Sequence, residues 1–297
     1  MSRLALGTAQ FGLDYGITNP GGRVQDEEVA AILALAAHSG IDTVDTARLY
    51  GESEASIGRN SPAGADWRIV TKTPKFGNAG DAAQAADDLR DAFETSLQAL
   101  GRASVYALLL HDPQDLLGPF GTALWAALED LQQSGQVAKI GVSAYEGSEI
   151  DAALDLYSID VVQLPFNAID QRLAEGGQLD RLHRAGVEIH ARSVFLQGLL
   201  LAPFEAIPRK FEPVRSTVER IDKAFADRGL SRLEGLLASV FTHHQIDRVV
   251  VGVTSTQELD ASISAAKRAE EAGPLHIDVP PIDPRYLNPA RWNELPA

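Results

Sequence analysis

The feature of this sequence that most constrains its fold is the alternation of short apolar runs with longer helical stretches. No run alternates cleanly between apolar and polar residues, which is typical of parallel strands covered on both faces. Between the runs, apolar residues recur at spacings of three and four, as in amphipathic helices. The apolar runs are Leu4–Ala9, Ile41–Asp45, Arg68–Lys72, Val105–His111, Val137–Val142, Asp160–Leu164, Val187–His190 and Arg248–Gly252.

A strand followed by a helix, repeated eight times, predicts an α/β fold, a closed (β/α)8 TIM barrel. A doubly wound open sheet is the alternative, but the Gly-x-Gly-x-x-Gly turn expected after its first strand is absent. We expect Asp26 to cap the first long helix and Gly40 to end it. The predicted helices are Asp26–Ser39, Ser53–Gly58, Asp81–Leu100, Phe120–Ser134, Ser148–Tyr157, Gly177–Ala185, Val214–Asp227, Ser231–His243 and Thr256–Ala272.

A chain of 297 residues is long enough for two domains, but barrels of about 250 residues form one. We predict a single barrel domain over residues 1–273 and a proline-rich C-terminal tail over residues 274–297. A long loop at 191–213 follows the seventh strand. Long loops on the C-terminal face of a barrel usually form the ligand site, and we expect the tail to border the substrate pocket.

The composition excludes several classes of function. With 41 acidic and 26 basic residues the formal charge is −15, which argues against a nucleic-acid polymer or a membrane surface as partner. The absence of cysteine excludes disulfides and thiolate chemistry, and the adjacent His243 and His244 predict no metal site. Without a leader or a long apolar stretch, we expect a cytoplasmic protein, a monomer or weak homo-oligomer.

Ionisable residues end three of the predicted strands, at the face where barrels carry their active sites. These residues are Asp45, Lys72 and His111, and Tyr50 follows one loop turn beyond Asp45. A lysine ammonium lowers the pKa of a nearby tyrosine, ordinarily about 10, and an aspartate keeps that lysine charged. We therefore predict that Tyr50 protonates a carbonyl oxygen while His111 orients it.

The segment 40–54, Gly-Ile-Asp-Thr-Val-Asp-Thr-Ala-Arg-Leu-Tyr-Gly-Glu-Ser-Glu, resembles the signature of the aldo/keto reductase superfamily. Lys72 and His111 fall where that family has its lysine and histidine. The segments 139–143, 162–163 and 250–255 resemble its cofactor strands, so that the resemblance extends over nearly the whole chain.

The resemblance implies an oxidoreductase that reduces an aldehyde, ketone or sugar carbonyl with NAD(P)H, or performs the reverse oxidation, with Tyr50, Lys72, Asp45 and His111 as its catalytic residues. We expect the small-molecule substrate to contact Phe11, Tyr15, Tyr50, His111 and Trp292. The residues implied for binding NADP(H) or NAD(H) are Gly7, Thr8, Asp45, Ser143, Gln163, Arg192, Ser193, Phe195, Gln197, Gly198, Gly252, Thr254, Ser255, Glu258 and Ser262.

Two departures from the family pattern matter. Gly252 and Glu258 stand where NADP-specific members carry basic residues, and a 2′-phosphate prefers Lys or Arg. We therefore expect NADH to be used at least as well as NADPH, unless Arg209 and Lys210 supply the missing charge. Arg192 stands where many members stack an aromatic ring on the nicotinamide.

Three interpretations of Arg192 stay open. It stacks on the reduced cofactor, reaches a substrate anion, or pairs with Glu188 or Asp170. Two alternative functions stay open as well. The first is a nicotinamide-binding sensor or regulatory barrel with little or no turnover. The second is a lyase or isomerase that uses Lys72 as a Schiff-base amine, which Asp45 disfavours by keeping the lysine protonated.

Overall fold

Eight parallel strands pair in chain order, β1 with β2 through to β8 with β1, and close into a barrel. This arrangement is seen in a computed structural model that describes residues 2–296, and it confirms the predicted (β/α)8 fold. The strands are β1 (Leu4–Gly7), β2 (Thr43–Asp45), β3 (Arg68–Lys72), β4 (Val105–Leu110), β5 (Val137–Ser143), β6 (Val161–Pro165), β7 (Glu188–Arg192) and β8 (Arg248–Gly252).

Helices connect the strands and surround the barrel. They are α1 (Ala9–Gly12), α2 (Asp26–His38), α3 (Ser53–Asn60), α4 (Ala82–Leu100), α5 (Pro113–Leu117), α6 (Gly121–Gln133), α7 (Gly147–Leu156), α8 (Arg172–Glu175), α9 (Gln178–Arg184), α10 (Glu212–Asp227), α11 (Arg232–Phe241), α12 (Thr256–Ala272) and α13 (Pro284–Leu287). Short 3₁₀ turns cover Leu196–Gly198, Phe204–Ala206, Arg209–Phe211 and Pro289–Glu294.

The predicted end of the first long helix is correct, but its predicted cap is wrong. Gly40 follows α2 with a φ of +75°, a conformation that favours glycine. Asp26 is the first residue inside α2, and Gln25 holds the cap position. The Asp26 carboxylate instead accepts hydrogen bonds from Ser56 and Arg59, and so ties α2 to α3.

A small apolar cluster inside the barrel separates its two ends. It consists of Val70, Ala107, Leu109 and Val161, from β3, β4 and β6. At the N-terminal end, Glu188 accepts a hydrogen bond of 2.6 Å from Tyr106 and also binds Lys139 and His190. This network closes the lower mouth of the barrel. The larger apolar core lies between the strands and the surrounding helices.

The C-terminal tail packs against the long loop that follows β7. The Trp292 ring lies 4.7 Å from the Phe211 ring, measured between centroids, in an edge-to-face arrangement. The Trp292 indole N–H donates to the carbonyl of Tyr286 at 3.0 Å, which folds the tail back on itself. Tyr286, Leu287 and Trp292 are all buried. The boundary at residue 273 stays a prediction.

A glycine in β5 allows the close approach of β5 and β6. Gly141 pairs with Val161, and a Cβ atom added to Gly141 would lie 1.8 Å from the Val161 carbonyl oxygen. Two residues further along the same two strands, Ser143 pairs with Gln163. The missing side chain at position 141 therefore sets the spacing of two residues that the sequence assigns to the ligand site.

Gly141→Ala should destabilise the fold, because the methyl group collides with the backbone of a buried strand that has no room to move. We expect the free energy of unfolding, measured by urea denaturation, to fall by about 3 kcal/mol. Gly77→Ala is the matched control, because a Cβ atom there meets nothing within 4 Å. A similar loss in both variants would contradict this explanation.

Candidate active site

A cavity of about 550 Å³ opens at the C-terminal end of the barrel. Loops from several strands surround it, and Pro289 and Ala290 of the tail contribute to its wall. Many residues predicted from the sequence line this cavity. They are Gly7, Thr8, Tyr15, Asp45, Tyr50, His111, Ser143, Gln163, Arg192, Ser193, Phe195, Gln197, Gly198, Gly252, Thr254, Glu258 and Ser262.

Four predicted site residues do not line the cavity. Phe11, predicted to contact the substrate, has a side chain that is fully buried in the apolar core. Trp292, predicted for the same role, is buried against Phe211. The Ser255 hydroxyl caps α12 by accepting the backbone N–H of Glu258 at 3.2 Å. Lys72 is fully buried and binds Asp45, which itself lines the cavity.

A buried ion pair forms the floor of the cavity. The Lys72 ammonium donates to both carboxylate oxygens of Asp45, at 2.8 and 2.9 Å, and to the carbonyl of Thr46 at 2.8 Å. Burial lowers the pKa of Lys72, while the Asp45 carboxylate opposes that effect. Three acceptors for three N–H groups indicate that the lysine is charged and fully satisfied.

Tyr50 lies above this ion pair, with the centre of its ring 5.2 Å from Lys72 Nζ. Burial raises the pKa of Tyr50, and the Asp45 carboxylate raises it further, while Arg192 acts in the opposite direction. The predicted lowering of this pKa is therefore wrong, because burial and the Asp45 carboxylate outweigh the effect of nearby positive charge. The phenol is fully protonated at neutral pH, which is the state that a proton donor requires.

His111 lines the cavity beside Tyr50, and the centroids of the two rings lie 5.8 Å apart, edge to face. Burial lowers the pKa of His111 to about 3, and the positive charge of Lys72 acts in the same direction. Its Nδ1 atom is buried and has no hydrogen-bond partner within residues 2–296. At neutral pH the ring is therefore uncharged and carries one N–H group.

Gln163 connects the ion pair to the strand ends on the opposite side of the barrel. Its side chain is fully buried, and its Nε2 atom donates to Asp45 Oδ1 at 2.6 Å. Its Oε1 atom is buried and has no partner within the described chain. A ligand amide N–H would satisfy this oxygen. The bond between Asp45 and Gln163 was not predicted, because the two residues are 118 positions apart.

Arg192 does not pair with Glu188 or Asp170, so that interpretation is wrong. Glu188 belongs to the network at the lower mouth, and Asp170 binds Arg172 at 2.8 Å. The Arg192 guanidinium instead lies over the Tyr145 ring, 4.0 Å from its centre. Sequence reasoning missed Tyr145, although it follows the end of β5 by two residues and lines the cavity.

Glu258 lies at the N-terminus of α12, at the edge of the cavity. Its carboxylate accepts hydrogen bonds from the backbone N–H of Thr254 at 2.7 Å and from the Thr254 hydroxyl at 3.0 Å. The protein's own carboxylate therefore occupies donors that would otherwise be available to a bound anion. Arg209 and Lys210 do not line the cavity, and Lys210 reaches the Trp292 carbonyl instead.

The loop after β7 approaches the cavity with an unusual backbone. Ser193, Leu196 and Gln197 have φ values of +57°, +47° and +55°, in the left-handed region that side chains other than glycine rarely adopt. Gln197 accepts a hydrogen bond from the backbone N–H of Ile17 at 3.1 Å, which ties this loop to the one after β1. Such strain persists only where the surroundings hold it, typically at ligand sites.

Residues 2–296 contain no group of three His, Asp or Glu side chains that could hold a metal ion. His243 packs against Phe166, and His244 packs against His183. No helix in the same part of the chain is long and apolar enough to cross a membrane.

The pKa of His111 makes stability depend on pH. The unfolded chain binds a proton on this ring below pH 6.5, but the folded chain does so only near pH 3. Falling pH in this window should therefore lower the free energy of unfolding, by up to about 1.4 kcal/mol per unit from this group. Urea denaturation of wild type and His111→Asn from pH 6.5 to 4 should show a steeper loss in wild type. Equal losses of unfolding free energy in the two proteins would contradict this role of His111.

Comparison with known proteins identifies a family and two sequence relatives. The sequence model of the aldo/keto reductase family matches residues 3–271 of this chain. An uncharacterized oxidoreductase YtbE of Bacillus subtilis is 28% identical over 179 residues, covering 59% of this chain and 61% of the relative. The aldo-keto reductase str7 of Strobilurus tenacellus is 26% identical over 216 residues, covering 70% and 61%. The matches thus span about three-fifths of these curated relatives.

Solved structures share the fold. A putative aldo-keto reductase from Pseudomonas aeruginosa superposes with a TM-score of 0.67 at 23% identity, covering 90% of both chains. An aldo-keto reductase from Bacillus halodurans, in its holo form, superposes with a TM-score of 0.71 at 18% identity, covering 93% of both chains. At this level of identity the likeness extends to the barrel and its connections.

Proposed function

Because the chain belongs to the aldo/keto reductase family, we propose that it is an oxidoreductase acting on a small-molecule carbonyl. The reaction is the reduction of an aldehyde, ketone or sugar carbonyl to an alcohol, or the reverse oxidation. One observation carries this proposal: Tyr50 and His111 line the cavity directly above the buried pair of Asp45 and Lys72. The cofactor is a nicotinamide dinucleotide, which supplies the hydride when it is bound.

Each of the four residues has a distinct role. Tyr50 donates its phenolic proton to the carbonyl oxygen as that oxygen gains negative charge. His111, which is neutral, donates its N–H to the same oxygen and orients the carbonyl without adding charge. Lys72 stabilises the tyrosinate that remains, and Asp45 holds Lys72 charged and in place. The tyrosinate then takes a proton from water, which restores the site.

The residues on the far side of Asp45 fit the carboxamide of a nicotinamide. The unpartnered Gln163 Oε1 accepts an amide N–H, and Ser143, its neighbour across the β5–β6 pair, supplies a hydroxyl. The link from Gln163 Nε2 to Asp45 keeps this amide oriented. The loop at 193–198 and the segment 252–262 then hold the diphosphate and the adenosine, as the family resemblance implies.

Replacing the phenol by a phenyl ring should abolish catalysis but preserve binding. Tyr50→Phe removes the proton donor, and we expect kcat for aldehyde reduction to fall by about 100-fold or more. The dissociation constant of NADH, measured by quenching of protein fluorescence, should change less than about threefold because the phenol hydroxyl holds no part of the cofactor. NAD(P)H consumption with a panel of aldehydes, ketones and aldoses provides the activity measurement.

Other outcomes of that experiment favour the alternative functions. Tight cofactor binding without turnover of any carbonyl compound by the wild type favours a sensor or regulatory barrel. Trapping of a substrate on Lys72 by borohydride favours Schiff-base chemistry. We disfavour the second alternative, because all three N–H groups of Lys72 are engaged in hydrogen bonds.

We propose further that NAD(H) is preferred over NADP(H). The Glu258 carboxylate occupies both donors of Thr254 beside the segment assigned to the adenosine, so that a 2′-phosphate there meets a negative charge and finds these two donors already bound. Wild type should bind NADH more tightly than NADPH in fluorescence titrations.

Glu258→Lys should tighten NADPH binding by about tenfold and leave NADH within about threefold, since only the 2′-phosphate gains a partner. Glu270→Lys, the same charge change near the distant end of α12, is the control. Equal changes in NADPH affinity for both variants would point to net charge alone. A wild-type preference for NADPH would contradict the assignment of Glu258.

A further inference from the structure

The guanidinium of Arg192 is held in place but its charge is not neutralised. It is half-buried in the cavity wall and stacks on Tyr145. Its hydrogen bonds, to Ser193 Oγ and to the carbonyl of Ala144, are both 3.4 Å long and therefore weak. Within residues 2–296 no carboxylate forms an ion pair with it. Most of its five N–H groups are therefore available to a ligand.

Three acidic residues of strands β2 and β7 and of the loop after β6 already have basic partners. Asp45 is bound by Lys72, Asp170 by Arg172, and Glu188 by Lys139. Glu258, another charged residue of the cavity wall, is held by the backbone N–H and the hydroxyl of Thr254. Within the described residues, Arg192 is therefore a cation without a carboxylate partner at the catalytic end. Removing such a cation from water is unfavourable unless an anion compensates it, which indicates that a ligand supplies the anion.

The position of Arg192 relates this anion to the reacting carbonyl. Arg192, Tyr50 and His111 line the same cavity, together with Tyr15. The positive charge of Arg192 acts on the pKa of Tyr50, Tyr15 and His111 alike, so the guanidinium is near the groups that handle the carbonyl. An anion bound at Arg192 therefore belongs to a molecule whose other end reaches Tyr50.

We propose that Arg192 binds a carboxylate of the substrate, so that the preferred substrates are aldehydes or ketones that also carry a carboxylate group. The planar guanidinium donates two parallel hydrogen bonds to a carboxylate, and one free cation matches one negative charge. Tyr145 covers one face of the guanidinium and so fixes its plane. This inference rests on the proposed function, because it names the substrates of the same site.

A matched pair of substrates tests this proposal through selectivity. 4-Carboxybenzaldehyde and 4-formylbenzamide have nearly the same shape and differ by one negative charge. In wild type, kcat/KM should be about 10- to 100-fold higher for the carboxylate, the value of a charge-assisted bidentate contact. Arg192→Met should bring that ratio close to one, chiefly through KM, and Arg192→Lys should retain part of it.

Arg184→Met is the control for the loss of a positive charge, because Arg184 is an exposed residue of α9 with 78% of its side chain accessible. It should leave the selectivity ratio unchanged. Equal efficiency of wild type with both aldehydes would overturn the proposal. A ratio that survives in Arg192→Met, combined with weaker NADH binding, would also overturn it and would assign Arg192 to the anionic cofactor.

A binding measurement separates this proposal from the proposed function. Calorimetry with benzoate and benzamide, in the presence of NADH, needs no turnover. Benzoate should bind wild type at least tenfold more tightly than benzamide, and Arg192→Met should lose this difference. Selective benzoate binding without reduction of any aldehyde would support the anion site and overturn the proposed carbonyl reduction. Reduction without selectivity for benzoate would support carbonyl reduction and overturn the anion site. If neither selective binding nor reduction is observed, both proposals are overturned.

Discussion

The ion pair between Asp45 and Lys72 is the interaction on which the rest of the site depends. Both groups are withdrawn from water, which is unfavourable unless every donor and acceptor finds a partner. Lys72 meets that condition with Asp45 and the Thr46 carbonyl, and Gln163 donates a further hydrogen bond to Asp45. Burial raises the pKa of Tyr50 and lowers that of His111, and the charges of the pair reinforce both effects, Asp45 on Tyr50 and Lys72 on His111. The pair thus helps to keep both residues uncharged.

The distribution of charge around the cavity differs from that of the chain as a whole. The acidic side chains that produce the formal charge of −15 are mostly paired or exposed, and the catalytic end carries the free cation of Arg192. On another part of the wall, the Glu258 carboxylate is satisfied by Thr254 at the start of α12. The Glu258 carboxylate thus has hydrogen-bond partners within the protein, whereas the Arg192 guanidinium has only two weak ones and no carboxylate partner within residues 2–296. This asymmetry underlies both the proposed preference for NAD(H) and the proposed binding of a substrate carboxylate.

Sequence reasoning found residues that end strands and was less successful in loops and in the tail. A parallel barrel brings all its carboxyl strand ends to one face, so Asp45, Gln163 and Arg192 converge wherever they lie in the chain. No such rule predicts the direction of a side chain in a loop, and the side chains of Phe11 and Trp292 are buried in the apolar core. The pKa of Tyr50 was predicted in the wrong direction, because it depends on burial and on the balance of charge between Asp45 and Lys72.

The sequence by itself determined the barrel, the order of its strands and the identity of the four residues proposed for catalysis. Periodicity and strand ends are local properties, which a linear chain displays directly. Only the tertiary structure decided that Gln163 supports Asp45, that Tyr145 stacks on Arg192, and that Glu258 occupies the donors of Thr254. It also decided the left-handed backbone at Ser193, Leu196 and Gln197. These features arise from packing between separate strands and loops, and their energies depend on distances that no sequence spacing specifies.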